Sequence, residues 1–382
     1  LITSLLRMAL VFLCAILPVR AVLATDATEI LIGYAGPLSG ASAAVGKSML
    51  HAVHLAVDES NKRGTHIGGK PVVFKVISQD DRADPRTAEL VARYLVKIGV
   101  TAVIGHWNSA ASLAAAPVYE SAGVIQISPA TMSRRYTAEG RRTSFRTIGN
   151  NDGAGKFTAD YAVKTLGATR VALINDGTPF GQGIAEQFGK TVKEHGAAVL
   201  GSYAVSDKTS DFNRILAELK VLKPDAVFFG GLDVQAAALA RGVVRMQLGA
   251  RFIAASGTVG LPFLKAAGAD GNHTVVLEPG LPLERMPGWK SFEKNYMQKF
   301  DSSIDLYAPF AYDAAQVLIA AIRQADSLDQ RKIGSVLREI RFNGLTGPVS
   351  FNAEGDLKQP VFTIYEVQNQ SWVVRKTITN NR

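Results

Sequence analysis

Short apolar runs alternate along this chain with longer stretches whose hydrophobic residues recur every three or four positions. From Glu29 the order is strand "ILIGYA", helix 47–62, strand "VVFKVIS", helix 86–98, strand "TAVIG", helix 109–121 and strand "VIQIS". Apolar runs of this length predict strands buried on both faces, and amphipathic segments between them predict parallel crossovers. In "DPRTAELVARYL", Asp84 is placed to cap a helix and Pro85 to fill its first turn, with Leu90, Val91, Tyr94 and Leu95 on one face. A second set in the same rhythm starts near Phe145: helix 153–166, strand "RVALIND", helix 182–195, strand "AVLGSYAV", helix 211–222, strand "AVFFGG", helix 234–247 and strand "RFIAAS". Two doubly wound α/β lobes are predicted. Helices near 286–300, 308–324 and 329–340 remain, with short β segments "GPVSF", "VFTIYEV" and "SWVVRK". Because connections are short, these elements return to cover both lobes, and the chain crosses between lobes more than once.

The length of 382 residues and the 47% hydrophobic content agree with two domains of ordinary size. The first 24 residues differ in kind: Arg7, then "MALVFLCAILPV", then a small-residue exit ending at Ala24, with no acidic residue. That is the pattern of a cleaved export signal, its apolar core too short to span a bilayer. The single cysteine, Cys14, lies mid-run without a small residue directly before it, so cleavage is expected in preference to lipidation. No thiol then remains, which excludes disulfides and thiol catalysis. The formal charge of +9 falls by two when Arg7 and Arg20 leave, and the basic residues are spread over the whole length, which argues against a nucleic-acid groove.

In sheets of this kind ligands sit beyond the carboxyl ends of the strands. The strand-end loops are "GPLSGASAAVG", "GHWNSAAS", "SPATMS", "NDGTPFGQG", "GGLDVQ" and "ASGTVG". Ser109 opens a helix after a buried strand, so it either caps that helix or joins the first-turn amides in attracting an anion. The next strand end offers Ser128, the backbone of Ala130, and Thr131. Phe180 either packs inward or lines a cleft wall; Asp233, after Leu232, either caps its helix or faces a cationic group. Catalytic motifs are missing: no G-x-S-x-G, no P-loop, no H-E-x-x-H, and "GTPFGQG" has the wrong glycine order for a dinucleotide. The six histidines are scattered and read as surface or half-buried residues, not metal ligands. Asp80 and Asp81 are adjacent on a strand and so point to opposite sides, which argues against a catalytic pair.

With these loops in view, the chain resembles the periplasmic solute-binding proteins of the branched-chain amino-acid type (the Leu/Ile/Val-binding family), the capture components of ATP-driven (ABC) importers. The resemblance rests on "IGYAGPLSG", "DDRADP", "VTAVIGHWNSAAS", "PVYESAGVIQISPAT", "FRTIGNNDGAGKFTADY", "VALINDGTPFGQG", "AVFFGGLD", "YAPFAYDAAQVL" and "GPVSFNAEGDLK", in the family's order and spacing. It implies a type I periplasmic binding protein: two α/β lobes joined by three hinge crossings and closing over a small solute. The expected partition is a signal peptide at 1–24, an N-terminal lobe of 25–147 plus 280–348, and a C-terminal lobe of 148–279 plus 349–382. An extracytoplasmic monomer serving a membrane permease is implied, with no cofactor, no metal and no enzymatic activity. A sensor of the same fold that reports amides or other small molecules is the alternative reading.

By the same resemblance, Ser109 and the backbone of Ala130 match the residues that grip a ligand carboxylate, with Trp107 beside them. The family's next hydroxyl falls at Met132, so Thr131 substitutes only if the loop is shifted. Phe180, Leu232 and Tyr307 match positions that enclose the ligand, and Val45 stands where an aromatic often appears. Ser256 replaces the acid that pairs with a ligand ammonium group. A buried ammonium without a counter-charge costs on the order of several kcal/mol, so unless Asp233 takes over, the site is expected to favour a carboxylate lacking an α-amino group.

Overall fold

The computed structural model describes residues 27–379, so the expected signal peptide, with Arg7 and Cys14, lies outside the described residues. The first sheet comprises β1 (Thr28–Gly36), β2 (Thr65–Ile67), β3 (Lys70–Asp80), β4 (Ala102–Gly105), β5 (Ile125–Ser128) and β6 (Ser144–Arg146), in the order β2-β3-β1-β4-β5-β6. Only β2 runs antiparallel to its neighbour. The second lobe supplies β7 (Arg170–Asn175), β8 (Ala198–Ala204), β9 (Ala226–Gly230), β10 (Arg251–Ala254) and β11 (Val275–Pro279). A small hairpin follows, β12 (Phe342–Gly344) with β13 (Gly347–Val349). The last strands, β14 (Val361–Gln368) and β15 (Ser371–Thr379), add antiparallel to the second sheet, whose order is β15-β14-β11-β10-β9-β7-β8. In each lobe the first strand therefore lies between the second long strand and the third. That is a doubly wound order whose switch point opens a crevice at the strand C-termini.

Local sequence explains most boundaries. Asp84 caps helix Pro85–Lys97 by accepting from Thr87 N at 2.8 Å, with Pro85 in the first turn. The apolar face expected for that helix needs correction: Leu90 is 67% and Tyr94 46% exposed. The buried stripe is Ala88, Val91, Ala92 and Leu95. The two alanines let the helix lie close to the sheet beside Val100, Val103, Ala115 and Tyr119, and leave no room for the bulkier residues on that side. Helix Asn151–Lys164 starts two residues before its expected position because Asn150 caps it, accepting from Gly153 N at 3.2 Å.

The late helix Ala308–Ala325 returns to the first lobe and packs along Ala43–Lys62. Residues 351–356, past the expected transfer point at 349, pack against the edge strand of the first sheet. Phe351 is buried edge-on against Phe145, and Arg146 N donates to Gly355 O at 3.0 Å. One apolar cluster runs from sheet to sheet through the crossing segments, with Ile148, Leu277 and Phe362 among its buried members. Among the described residues no helix is long and apolar enough to cross a membrane.

Gly355 decides how that strap seats. Its φ is +97°, and a Cβ on it would lie 2.1 Å from the Ser144 carbonyl oxygen. Gly355→Ala is expected to lower unfolding free energy by about 2 kcal/mol or more, from left-handed strain and overpacking together. Urea denaturation checks it; an unchanged midpoint would show that the strap is held differently.

Candidate functional site

The first-lobe half of the site sits past β4, whose four residues are all buried. Asn108 caps the following helix, Ser109–Ala122, by accepting from Ala111 N at 2.7 Å. Ser109 is thereby released from capping. Its Oγ accepts from Ser133 N at 3.1 Å, which leaves its own proton to donate. The first-turn amides of Ser109 and Ala110 have no intrahelical acceptor, as helix geometry dictates. Ser128, at the end of β5, donates to His106 O at 3.0 Å and accepts from Ala130 N at 3.3 Å and Thr131 N at 2.9 Å. Thr131 does not replace the family hydroxyl: its Oγ1 lies 2.5 Å from Ser112 Oγ, and the residue is fully buried. Met132 is buried too.

Charged groups brace this half from beneath. Arg146, fully buried, donates to Thr131 O at 2.7 Å, Ser133 O at 2.9 Å and Thr137 Oγ1 at 2.8 Å, and its Nε lies 2.7 Å from Asp356 Oδ1. Asp80 and Asp81 do diverge: Asp80 accepts from Leu38 N and the Ser39 hydroxyl, whereas Asp81 Oδ2 lies 2.6 Å from His106 Nδ1. Neither His106 nor Asp81 is exposed, so His106 is a core residue and not the surface or half-buried histidine expected.

The opposing half comes from the second lobe. Thr178 caps helix Pro179–Glu194, and Phe180, in its first turn, is half-buried with its carbonyl accepting from Asn151 Nδ2 at 3.0 Å. Leu232 occupies the N-cap position of helix Asp233–Arg245 without a side-chain cap. Asp233 is half-buried and accepts only from Val234 N, at 2.9 Å. Val45, Trp107 and Phe180 are all half-buried against the apolar cluster that joins the lobes. A crevice of about 420 Å³, lined by Ser133, Arg134, Asn151, Asp152, Gln182 and Lys190 among others but not by Val45, Trp107 or Phe180, opens between the lobes.

Ser256 needs correction as a ligand contact. Its hydroxyl donates to Leu277 O at 2.6 Å and the residue is 1% exposed, so it ties the end of β10 to β11. Gly257 takes its place at the cleft wall: a Cβ there would lie 3.1 Å from Leu232 Cδ2 and 3.4 Å from the Tyr307 hydroxyl. Tyr307 itself is 8% exposed and precedes the helix that returned to the first lobe, so the two lobes meet here.

Two acids missed in the sequence converge on this point. Glu278, fully buried on β11, accepts from the N–H groups of Gly257, Thr258 and Val259 at 2.8–3.0 Å. Burial outweighs those hydrogen bonds, and with Asp305 adding repulsion pushes Glu278 up to about 7. Asp305, half-buried, accepts from Tyr307 N at 3.0 Å, and its own N–H donates to Ser48 Oγ at 2.9 Å. Burial and the Asp233 charge push Asp305 up to about 6. Burial also raises Asp233 and lifts the Tyr307 phenol well above its ordinary value, with Glu278, Asp305 and Asp233 contributing. A signal for Glu278 was present, since a charge inside the apolar "TVVLEPG" is unusual for a buried strand. For Asp305 there was none, because its side of the cleft is set by the returning helix.

Two doubly wound α/β lobes joined by crossing segments, with strand-end loops of both lobes at one crevice, are the architecture of a periplasmic binding protein. The chain belongs to that family, whose sequence profile, described as periplasmic binding protein, matches residues 29–371. It is 32% identical over 345 residues to the leucine-, isoleucine-, valine-, threonine- and alanine-binding protein of Pseudomonas aeruginosa, covering 89% of this chain and 90% of that one. Its fold is similar to that of a leucine-binding protein of Thermotoga maritima, with a TM-score of 0.83, 24% identity, and 92% and 99% of the two chains covered. It is also similar to an ABC-transporter solute-binding protein of R. palustris in complex with benzoate, with a TM-score of 0.79, 20% identity, and 91% and 96% covered.

Proposed function

We propose that this chain is the periplasmic solute-binding component of an ABC importer, capturing a small carboxylate-bearing solute between its lobes and presenting the closed form to a membrane permease. The observation that carries this reading is the state of Ser109: relieved of capping by Asn108, its hydroxyl retains a proton to donate, beside two first-turn amides that have no intrahelical acceptor at a positive helix end. The Pseudomonas aeruginosa relative, named for five amino acids, and the R. palustris neighbour with benzoate have a carboxylate in common as the ligand group. Open protein binds first through Ser109 and the Ala130 loop; the second lobe then brings in Phe180, Leu232 and Asp233 by hinge closure. The solute leaves unchanged.

The test is titration of the purified protein with L-leucine, 4-methylpentanoate and benzoate, followed by calorimetry and by the fluorescence of half-buried Trp107. At least one is expected to bind. For whichever binds best, Ser109→Ala is expected to weaken affinity roughly 10- to 100-fold, the worth of a hydrogen bond to a charged group. Undiminished affinity in that variant would remove the anion site from Ser109.

A further inference from the structure

The segment "DDRADP", at the end of β3, contributes no residue to the walls described above, yet its backbone is strained. Arg82 and Ala83, neither of them glycine, both have a φ of +56°. Two consecutive left-handed L-residues are costly and persist only where their surroundings hold them. Here two carboxylates do so: Asp80 Oδ1 accepts from Arg82 N at 2.9 Å, and Asp81 Oδ1 accepts from Ala83 N at 2.8 Å.

The turn so held presents the Ala83 carbonyl to the loop that carries Ser109. That carbonyl accepts from Asn108 Nδ2 at 2.8 Å, and Asn108 is the residue whose Oδ1 caps the helix and frees Ser109. The other oxygen of Asp81, Oδ2, accepts from His106 Nδ1 at 2.6 Å. His106 Nε2 is left facing the hydroxyl of Tyr119, at 3.3 Å, on the helix that Ser109 opens. Asp81 therefore reaches residues 106 and 108, one on each side of Trp107. The linkage continues to the next loop, because the His106 carbonyl accepts from Ser128 Oγ, the oxygen that receives Ala130 N and Thr131 N. Asp81, His106 and Ser128 have no exposed surface, so bulk water does not compete for these bonds.

We infer that Asp81 is a positioning residue of the carboxylate site: through His106 and through the Ala83 carbonyl it fixes Asn108 and thereby holds the Ser109 hydroxyl toward the solute. Asp81 itself touches no solute. This rests on the importer reading, which places the anion at Ser109, and deepens it. The strain at Arg82 and Ala83 is retained because a binding loop needs its supporting shell held to a fraction of an ångström. The Asp81–His106 bond matters here, not the imidazole as such.

The experiment is a double-mutant cycle between Asp81→Asn and Ser109→Ala, read as affinity for whichever of L-leucine, 4-methylpentanoate and benzoate binds wild type best. Asp81→Asn is expected to weaken binding about tenfold or more in wild type but less than about threefold in Ser109→Ala, because it acts through that hydroxyl. A general loosening of the fold would give the same factor in both. His106→Asn, whose amide nitrogen can stand near the Nδ1 position, is expected to stay within about threefold of wild type, whereas His106→Gln, reaching toward Tyr119 instead, loses about tenfold. Melting curves show which variants are folded. If Asp81→Asn is not, Asn108→Ser takes its place in the cycle, since it keeps an oxygen for the cap but loses the donor to Ala83 O. Hydrogen exchange of the ligand-free protein gives a second readout, with exchange expected to quicken in 106–112 and to stay unchanged in β1 and β5.

Wild-type affinity in the folded variant, or equal losses in the two backgrounds, overturns this inference and leaves the importer reading standing. Ser109→Ala without effect overturns the anion site and this inference with it. If none of the three compounds binds, the importer reading fails and exchange decides: quickening confined to 106–112 sustains the positioning role, and unchanged exchange there overturns it too.

Discussion

Replacing Asp356 by Ala is expected to cost roughly 3–5 kcal/mol of stability, the range for stripping the partner from a buried ion pair. Arg146 has no exposed side-chain surface and Asp356 only 10%. The guanidinium also donates to Thr131 O, Ser133 O and Thr137 Oγ1, so it cannot swing out to water without breaking the loop that flanks Ser109. Asp356 accepts in turn from Thr137 Oγ1 at 2.7 Å and Asn150 Nδ2 at 3.1 Å, which ties the strap at 351–356 to the first crossing between lobes. Urea denaturation of Asp356→Ala, Arg146→Met and the double variant checks the point. The double variant should lose less than the sum of the singles, because the buried charge is gone with its partner. A loss under about 1 kcal/mol for Asp356→Ala would show that water reaches Arg146 after all, since an exposed pair contributes no more than that.

The second large effect is on pH. Burial pushes Glu278 up to about 7, and Asp305 and Asp313 each up to about 6. For acids raised in the folded state, the stabilising contribution is complete below the unfolded value and is lost as pH rises through the folded one. For Glu278 that window runs from 4.5 to about 7, and the loss is about 3 kcal/mol at 1.36 kcal/mol per pH unit. Asp160 acts oppositely: although burial raises it, hydrogen bonds from Lys156, Lys164 and His195 bring it down to about 2, so its contribution is lost on acidification below 3.8. The melting temperature of the ligand-free protein is therefore expected to peak near pH 4 and to fall as pH rises to about 7. Glu278→Gln, which keeps an oxygen for the Gly257–Val259 amides, should flatten that fall. A melting temperature level from pH 5 to 8 would mean that Glu278 is ionised throughout.

The strand-end loops were legible before any fold was known, because short buried strands followed by helices put every functional loop at one edge of a parallel sheet. That logic places Ser109, Phe180 and Leu232 in loops after strands, and all three lie in the first turn or cap of a helix that follows a strand. What misled the sequence reading was side-chain direction. Thr131 and Ser256 have the right chemistry in the right loops, yet one hydroxyl bonds Ser112 and the other bonds Leu277 O. Leu90 and Tyr94 likewise satisfied a helical stripe, but the stripe that faces the sheet is the one with small residues.

By itself the sequence determined the lobes, their doubly wound order and the strand-end loops, since these follow from hydrophobic period and short connections, which are local. Only the tertiary structure decided which charges share the cleft. Asp233, Glu278 and Asp305 come from three separate elements, and Arg146 meets an aspartate more than two hundred residues away. Such pairings depend on where the late helix and the strap return, and on burial, which sets how strongly each carboxylate holds its proton; neither quantity has a period along the chain.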